Sequence, residues 1–149
     1  MEFRKATGGD LALLTDNRMA FVESIATIEN AAAFKTATEQ YFAHHISDGS
    51  LISYICVEAG RIVSSCLLCI CTTIPIPSAI SGKSGLLLNV YTVKEHRRQG
   101  LAKRLILMLI DEARKAGVSK IMLDYTEDGL PLYQSLGFTQ SEEHMEMKL

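Results

Sequence analysis

The fold is decided where the sequence reads Thr92-Val93-Lys94-Glu95-His96-Arg97-Arg98-Gln99-Gly100-Leu101-Ala102-Lys103-Arg104. The segment before it, Leu86 to Val93, is apolar on both faces and predicts a central strand. The segment after it, from about Gly100 to Ala116, repeats apolar residues at helical spacing and predicts a helix that Gly117 ends. Because the first N–H groups of a helix lack internal partners and the helix dipole is positive there, this strand-to-helix turn predicts an anion site.

The residue types of this turn suit a phosphate group. Two small residues, Gly100 and Ala102, leave the backbone uncovered. Four cationic side chains surround them: Arg97, Arg98, Lys103 and Arg104. A guanidinium can bind phosphate through two parallel hydrogen bonds, which a point charge cannot do. The alternative interpretation is a solvated helix start without a ligand.

Outside this turn, the composition describes a nearly neutral globular chain. The protein has 149 residues, 15 Lys and Arg against 17 Asp and Glu, and a formal charge of -2. The length predicts one domain over residues 1–149. No aromatic residue alternates with the cationic residues between His96 and Arg104, so we expect no nucleic acid as a partner.

The other segments complete an α/β layered fold. Extended, apolar-rich stretches predict strands at Phe3–Thr7, Leu51–Glu58, Arg61–Thr73, Lys120–Tyr125 and, as one or two strands, Phe138–Leu149. Helical spacing and caps predict helices from Leu11, at Ala31–Ser47 and at Glu127–Leu136. This order of elements predicts helices packed over one mixed sheet.

The compartment is expected to be the cytosol. The first residues, Met1-Glu2-Phe3-Arg4-Lys5, lack the features of a secretory signal. A charge-free stretch from Ile62 to Gly82 is long enough for a bilayer, but its Ser, Thr and Pro residues favour a buried strand and a turn. We therefore expect no membrane segment.

The cysteines are interpreted as buried free thiols and not as metal ligands. Cys69 and Cys71 share one face of the predicted strand, whereas Cys66 points to the other face. No His or acidic residue stands near them in the sequence to complete a tetrahedral site. Together with Cys56 they suit a core in a reducing compartment, and no metal is expected.

Two motifs resemble those of a known family. Arg97-x-x-Gly100-x-Ala102 resembles the Gln/Arg-x-x-Gly-x-Gly/Ala signature of the GNAT superfamily of acetyl-coenzyme A dependent N-acetyltransferases. Downstream, Leu132-Tyr133-x-x-x-Gly137-Phe138 resembles the Leu-Tyr-x-x-x-Gly-Phe ending of the same family. The predicted order of elements matches this family over essentially the whole chain. The resemblance implies a mostly antiparallel mixed sheet that splays at its central strands, with helices on both faces.

The resemblance also implies a site for acetyl-CoA as co-substrate. The loop from Arg97 to Lys103 would hold the pyrophosphate through backbone amides of Arg98, Gln99, Gly100 and Ala102. The backbone of Val90 and Thr92 would pair with the pantetheine arm, at a strand that splays from Ile121–Tyr125. Thr126 takes the place where many members have a cofactor-contacting Asn, which puts that one contact in doubt.

Tyr133 matches the tyrosine that commonly protonates the departing thiolate in this family. A phenol ionises near pH ~10 and a thiol near ~8.5, so a tyrosine can supply this proton at neutral pH. The alternative for Tyr133 is a core aromatic. Removal of a proton from the amine needs a base or a water chain, and the candidates are Asn89 as a water-holder, Asp124, Glu127 and Glu23.

The sequence thus predicts an N-acetyltransferase that moves an acetyl group directly from acetyl-CoA to a primary amine of a small molecule or peptide. The resemblance implies an acceptor region at Arg18 to Glu29 and at Asp124 to Tyr125, and the mixed charges of the first stretch would admit a small cationic amine. The alternative function is a sensor or regulatory module that binds coenzyme A without turnover. The identity of the acceptor and the choice between a monomer and a homodimer stay open.

Overall fold

A five-stranded sheet forms the centre of this computed structural model, which describes residues 1–141 and 145–149. The strands are β1 Glu2–Lys5, β2 Leu51–Glu58, β3 Arg61–Thr72, β4 Lys83–Thr92 and β5 Lys120–Met122. Their order across the sheet is their order along the chain. The first four strands pair antiparallel, and β5 pairs parallel with β4. The predicted mixed, mostly antiparallel sheet is confirmed.

Helices cover both faces of this sheet, as expected. They are α1 Leu11–Glu23, α2 Ala31–Asp48, α3 Leu101–Lys115 and the short α4 Leu130–Ser135. Alternate residues of each strand point to opposite faces and therefore contribute side chains to two separate hydrophobic cores. On the α3 face the buried residues include Ile52, Leu68, Leu105, Ile106 and Leu109. On the face of α1 and α2 they include Leu14, Phe42, Leu51, Ile55 and Leu67.

Strands β4 and β5 separate after three residue pairs. The register runs from Ser84 opposite Lys120 to Leu86 opposite Met122 and stops there. The prediction of a strand as far as Tyr125 is therefore wrong beyond Met122, because β4 no longer lies alongside to pair with it. The expected splay between the central strands is confirmed, and it opens one edge of β4 from Leu87 to Thr92.

Strand β4 contains a bulge within this open half. Ser65 of β3 stands opposite Tyr91, whereas Leu67 stands opposite Leu88, so β4 carries an extra residue in between. Asn89 in this interval has a φ of +51°, in the left-handed region. Asn is one of the few residues with a side chain that occupies this region with some frequency.

The C-terminal part departs most from the predictions. Helix α4 occupies Leu130–Ser135, a shorter span than the predicted 127–136. The predicted last strands at Phe138–Leu149 are wrong for residues 138–141 and 145–149, which form none, and residues 142–144 lie outside the described residues. Phe138 packs on Tyr133 with ring centroids 5.9 Å apart, and the described residues after it are exposed, without a neighbouring strand.

The four thiols are free, and they differ in burial. Cys56 and Cys66 are buried, Cys69 is half-buried and Cys71 is exposed near the end of β3, so the expectation of burial is wrong for Cys71. Cys66 and Cys69 contribute to the cores on opposite faces, as the strand pattern predicted. None of the helices in the described part of the chain is long and apolar enough to cross a membrane.

Candidate functional site

The turn between β4 and α3 has an open backbone. A 3-10 turn at Lys94–His96 follows the strand, and two residues then adopt positive φ, Arg98 at +63° and Gly100 at +77°. Gly100 directly precedes α3. A Cβ added to Gly100 would have no other atom within 4 Å. The approach to the helix start is therefore unobstructed at this residue.

Backbone donors at the start of α3 have no acceptor in the helix. The first helical hydrogen bond runs from Arg104 N–H to the Gly100 carbonyl at 3.1 Å. The N–H groups of residues 101–103 precede this bond, and no side chain caps them. Unpaired N–H groups at the positive end of a 15-residue helix suit an anion, so this turn fits the pyrophosphate implied by the sequence motif.

The cationic side chains of the turn have different surroundings. Arg98 and Lys103 are exposed. Arg97 folds back, and its Nε donates to the Thr92 carbonyl at 3.0 Å. Arg104 places its guanidinium carbon 3.8 Å from the centre of the Phe3 ring on β1. The expectation that Arg104 adds its charge at the turn is therefore corrected, since its side chain packs on the sheet.

A side-chain pair fixes the turn against the sheet. His96 Nε2 and Glu58 Oε2 at the end of β2 lie 2.6 Å apart. Gln99 turns its side chain towards its own loop, where Nε2 donates to the Glu95 carbonyl at 3.3 Å. The turn is thus held by a contact with β2 and by a hydrogen bond inside its own loop, while its solvent-facing side stays exposed.

The open edge of β4 presents backbone groups to the gap left by β5. The Val93 N–H donates to Val63 of β3 at 3.0 Å, so the Thr92 carbonyl in the same peptide points the other way. Its partner on that side is Arg97. The Thr92 hydroxyl lies 2.8 Å from Ser64 Oγ on β3. Val90 is half-buried and packs on the α3-side core.

A buried polar network surrounds the bulge. Asn89 Nδ2 donates to Ser65 Oγ at 3.0 Å and to Asn17 Oδ1 at 3.2 Å, and Ser65 Oγ donates to Asn17 Oδ1 at 2.6 Å. Arg18 Nη1 donates to Asn89 Oδ1 at 3.2 Å. All three of Asn17, Ser65 and Asn89 are buried. The amide of Asn89 therefore bonds protein groups, a geometry that suits positioning of the bulge better than holding a water.

Tyr133 lies on α4 and faces the α3-side core. It is half-buried, and this burial raises the pKa of its phenol above the ordinary value. The hydroxyl consequently stays protonated at neutral pH, as a proton donor requires. Thr126 stands before α4, where its hydroxyl accepts from the Gly129 N–H at 3.3 Å, so its side chain supports the turn that carries α4.

The carboxylates considered as bases lie on the surface. Glu23, Asp124 and Glu127 are all exposed. Another cluster at the end of α2 brings ligand atoms of His44, His45 and Asp48 within 4.8 Å of one another. There His45 Nδ1 lies 2.6 Å from Ser50 Oγ, and Asp48 accepts from the Ser50 N–H at 2.8 Å. These contacts account for the cluster as the hydrogen-bonded end of a helix.

Asn17 and Ser65 were not identified from the sequence. The signal was the presence of Ser65 and Asn89 in the interior of two mostly apolar strands. Buried polar side chains need partners, so such residues on neighbouring strands indicate a shared network. The contribution of Asn17 from α1 has no comparable signal, because it depends on how that helix packs.

The chain resembles known acetyltransferases. The model of the acetyltransferase (GNAT) family matches residues 19–138. Glucosamine 6-phosphate N-acetyltransferase of Trypanosoma brucei brucei is 41% identical over 54 residues, which is 36% of this chain and 37% of that protein. Human N-acetyltransferase 8 is 38% identical over 58 residues, 37% of this chain and 26% of that protein. The matched stretches span about a third and a quarter of these two relatives.

Solved structures match over nearly the full length. A predicted acetyltransferase of Clostridium acetobutylicum with acetyl-CoA superposes with a TM-score of 0.88 at 23% identity, covering 99% of this chain and 95% of that one. A GCN5-related N-acetyltransferase of Ralstonia eutropha has a TM-score of 0.82 at 27% identity, covering 99% and 97%. The first of these likenesses concerns the fold alone.

Proposed function

Because the chain belongs to the acetyltransferase (GNAT) family, as its motifs indicated, we propose that it transfers an acetyl group from acetyl-CoA to a primary amine of a small molecule or peptide. The observation that carries this proposal is the gap between β4 and β5 after Leu86, which ends at the open helix start of α3. One ligand can lie along this gap with its phosphates at the helix.

The chain's own groups have separate roles in this proposal. Backbone amides of Arg98, Gln99, Gly100 and Ala102 hold the pyrophosphate, and the exposed cations Arg98 and Lys103 add charge. Arg97 holds the end of β4 through the Thr92 carbonyl. Val90 and Thr92 offer backbone groups to the pantetheine arm.

Acetyl-CoA supplies an activated thioester to this site. The amine nitrogen forms the new bond to the carbonyl carbon, the carbon–sulfur bond breaks, and the sulfur leaves with its electron pair. Tyr133 supplies a proton to that sulfur, and the amine loses a proton to water through the exposed side of the site. Asn89 keeps the bulge in place, and Thr126 supports the turn before α4.

Direct transfer fits the state of Cys56, Cys66 and Cys69 better than a covalent intermediate on one of them. Burial raises the pKa of Cys66 to about 12 and also raises the pKa values of Cys56 and Cys69. A thiol attacks as its thiolate. These three side chains are therefore poor nucleophiles at neutral pH, and the proposed reaction needs none.

The test is turnover of acetyl-CoA with a panel of amines. Release of free thiol and the mass of the acetylated amine are followed together, and the panel includes amino sugars, their phosphates, amino acids and peptides. An acetylated product with matching thiol release supports the proposal. Thiol release without any acetylated amine would show hydrolysis and contradict it.

The second candidate is a coenzyme A sensor without turnover. The observation that favours it is the exposure of Glu23, Asp124 and Glu127, which leaves no candidate base among them enclosed in the site. Acetyl-CoA would then raise the melting temperature while no amine in the panel is acetylated. A single acetylated product would exclude this alternative.

A further inference from the structure

Arg18 lies on the α1 side of the bulge in β4. Its Nη1 donates to Asn89 Oδ1 at 3.2 Å, and its guanidinium carbon is 5.7 Å from the centre of the Phe21 ring. Phe21 in turn packs on Tyr91 of β4, with ring centroids 5.5 Å apart. One end of the guanidinium is thus fixed on the strand that carries the proposed site.

This guanidinium has no countercharge in the described residues, where no carboxylate oxygen lies within 4.0 Å of it. The neighbouring group on β3, Cys69, is a thiol whose pKa burial raises, so it stays neutral at neutral pH. Arg18 itself is half-buried, and desolvation lowers its pKa. A partly desolvated cation without an anion is costly unless something else pairs with it.

Most of the donors of Arg18 remain available. A guanidinium has five N–H donors, and among the described residues the Arg18 side chain makes one hydrogen bond, to Asn89. Because that bond fixes the orientation of the group, the other donors are held in place before any ligand arrives. A fixed fork of this kind suits the two oxygens of a carboxylate or a phosphate.

We propose that Arg18 binds an anionic group, a carboxylate or a phosphate, on the acceptor amine. This assignment rests on the proposed function. Since Asn89 joins Arg18 to the bulge, the anion lies close to the amine that is acetylated, as in amino acids and phosphorylated amines. From the mixed charges of Arg18 to Glu29 we expected a small cationic acceptor; in the structure, Glu23 and Glu29 are exposed and do not pair with Arg18.

The experiment compares acceptors that differ only in the anion. L-Alanine is paired with L-alaninamide, and 2-aminoethyl phosphate with ethanolamine, so that the two pairs distinguish carboxylate from phosphate. Wild type is compared with Arg18→Gln and Arg18→Lys. Arg114→Gln on the exposed surface of α3 is the matched control, since Arg114 contacts Asp111 and lies outside the site.

We expect Arg18→Gln to raise the KM of the preferred anionic acceptor about 10- to 100-fold, as for the loss of hydrogen bonds to a charged group. The KM of its neutral partner should change little. Arg18→Lys should recover part of the preference for the anionic acceptor, because lysine keeps the positive charge but cannot donate two parallel hydrogen bonds to one anion. Arg114→Gln should behave as wild type. A merely structural role for Arg18 would weaken both members of a pair equally and would overturn the assignment.

The remaining outcomes are also decisive. Transfer by wild type to the neutral acceptors alone would refute the assignment of Arg18 and leave the proposed function intact. If no amine is acetylated, the proposed function fails, and calorimetry with coenzyme A present then decides the assignment. Binding of L-alanine or 2-aminoethyl phosphate by wild type but not by Arg18→Gln would uphold it, and equal or absent binding would overturn it.

Discussion

Replacing Gly100 by Glu and, in a second variant, by Gln distinguishes the effect of an added negative charge at the proposed phosphate site from the effect of an added side chain. Gly100 has a φ of +77°, and a Cβ built there meets no atom within 4 Å. A side chain at this exposed position therefore begins in open space, and both variants have the cost of a left-handed conformation, about 1–2 kcal/mol. For a chain of this size that cost lowers the melting temperature by about 2–8 °C.

The two variants differ by one negative charge at the start of α3. In the free protein that charge interacts favourably with the helix dipole, so Gly100→Glu should be about 0.3–1 kcal/mol more stable than Gly100→Gln. Towards a pyrophosphate ~5 Å away it is repulsive by about 1–3 kcal/mol at an effective dielectric of ~20–80. Acetyl-CoA should therefore bind Gly100→Glu roughly 5- to 150-fold more weakly than Gly100→Gln.

The assay is calorimetric titration with acetyl-CoA at two salt concentrations, alongside thermal melts of both variants. The difference in Kd between them should shrink at high salt, because salt screens exposed charges. The distinctive result is that Gly100→Glu is more stable than Gly100→Gln and yet binds acetyl-CoA more weakly. Equal Kd values for the Glu and Gln variants at low salt would refute the placement of the pyrophosphate at this turn.

Three further predictions concern single side chains. Tyr133→Phe should lower kcat about 10²–10⁴-fold while the Kd for acetyl-CoA stays near that of wild type; an unchanged kcat would leave Tyr133 a core aromatic. Ser65→Ala should cost about 1–3 kcal/mol in urea unfolding, because Asn17 and Asn89 lose a buried partner, whereas the exposed Ser135→Ala should cost under about 0.5 kcal/mol. Asp10 is held by Arg4, which lowers the pKa of its carboxyl to about 2. The stability advantage of wild type over Asp10→Asn should be full above pH ~4, where an unfolded Asp is ionised, and vanish as pH falls through about 2. An advantage that persists below that pH would contradict this role of the pair.

The strand-to-helix turn between β4 and α3 could be predicted because its signals are local. Helix α3 shows its apolar spacing within 15 residues, Gly100 stands directly before it, and the apolar strand β4 leads into it. Each of these features depends on neighbours in the sequence. The boundaries of β2 agree with the prediction for the same reason, since turn residues stand directly on both sides of an apolar run.

Features that depend on distant partners could not be predicted. Strand β5 ends at Met122 because its pairing with β4 stops there. No residue of the predicted span 120–125 indicates in the sequence where that pairing ends. The side chain of Arg104 belongs to the start of α3 in sequence but packs on Phe3, 101 positions earlier. The left-handed Asn89 requires Ser65 from β3 and Asn17 from α1 to hold it.

The bulge at Asn89 shows how the proposed donor and acceptor sites can lie at one strand. An ordinary strand alternates its side chains between two faces, and an extra residue shifts this alternation at one place. Here Val90 packs towards α3, whereas Asn89 is held by α1 through Asn17 and Arg18. The backbone beyond the bulge therefore faces the gap proposed for acetyl-CoA, and the side chain at the bulge faces the proposed acceptor. Changes at Gly100 should consequently act on donor binding and changes at Arg18 on acceptor binding, because Gly100 lies at the start of α3 and Arg18 contacts Asn89 from α1.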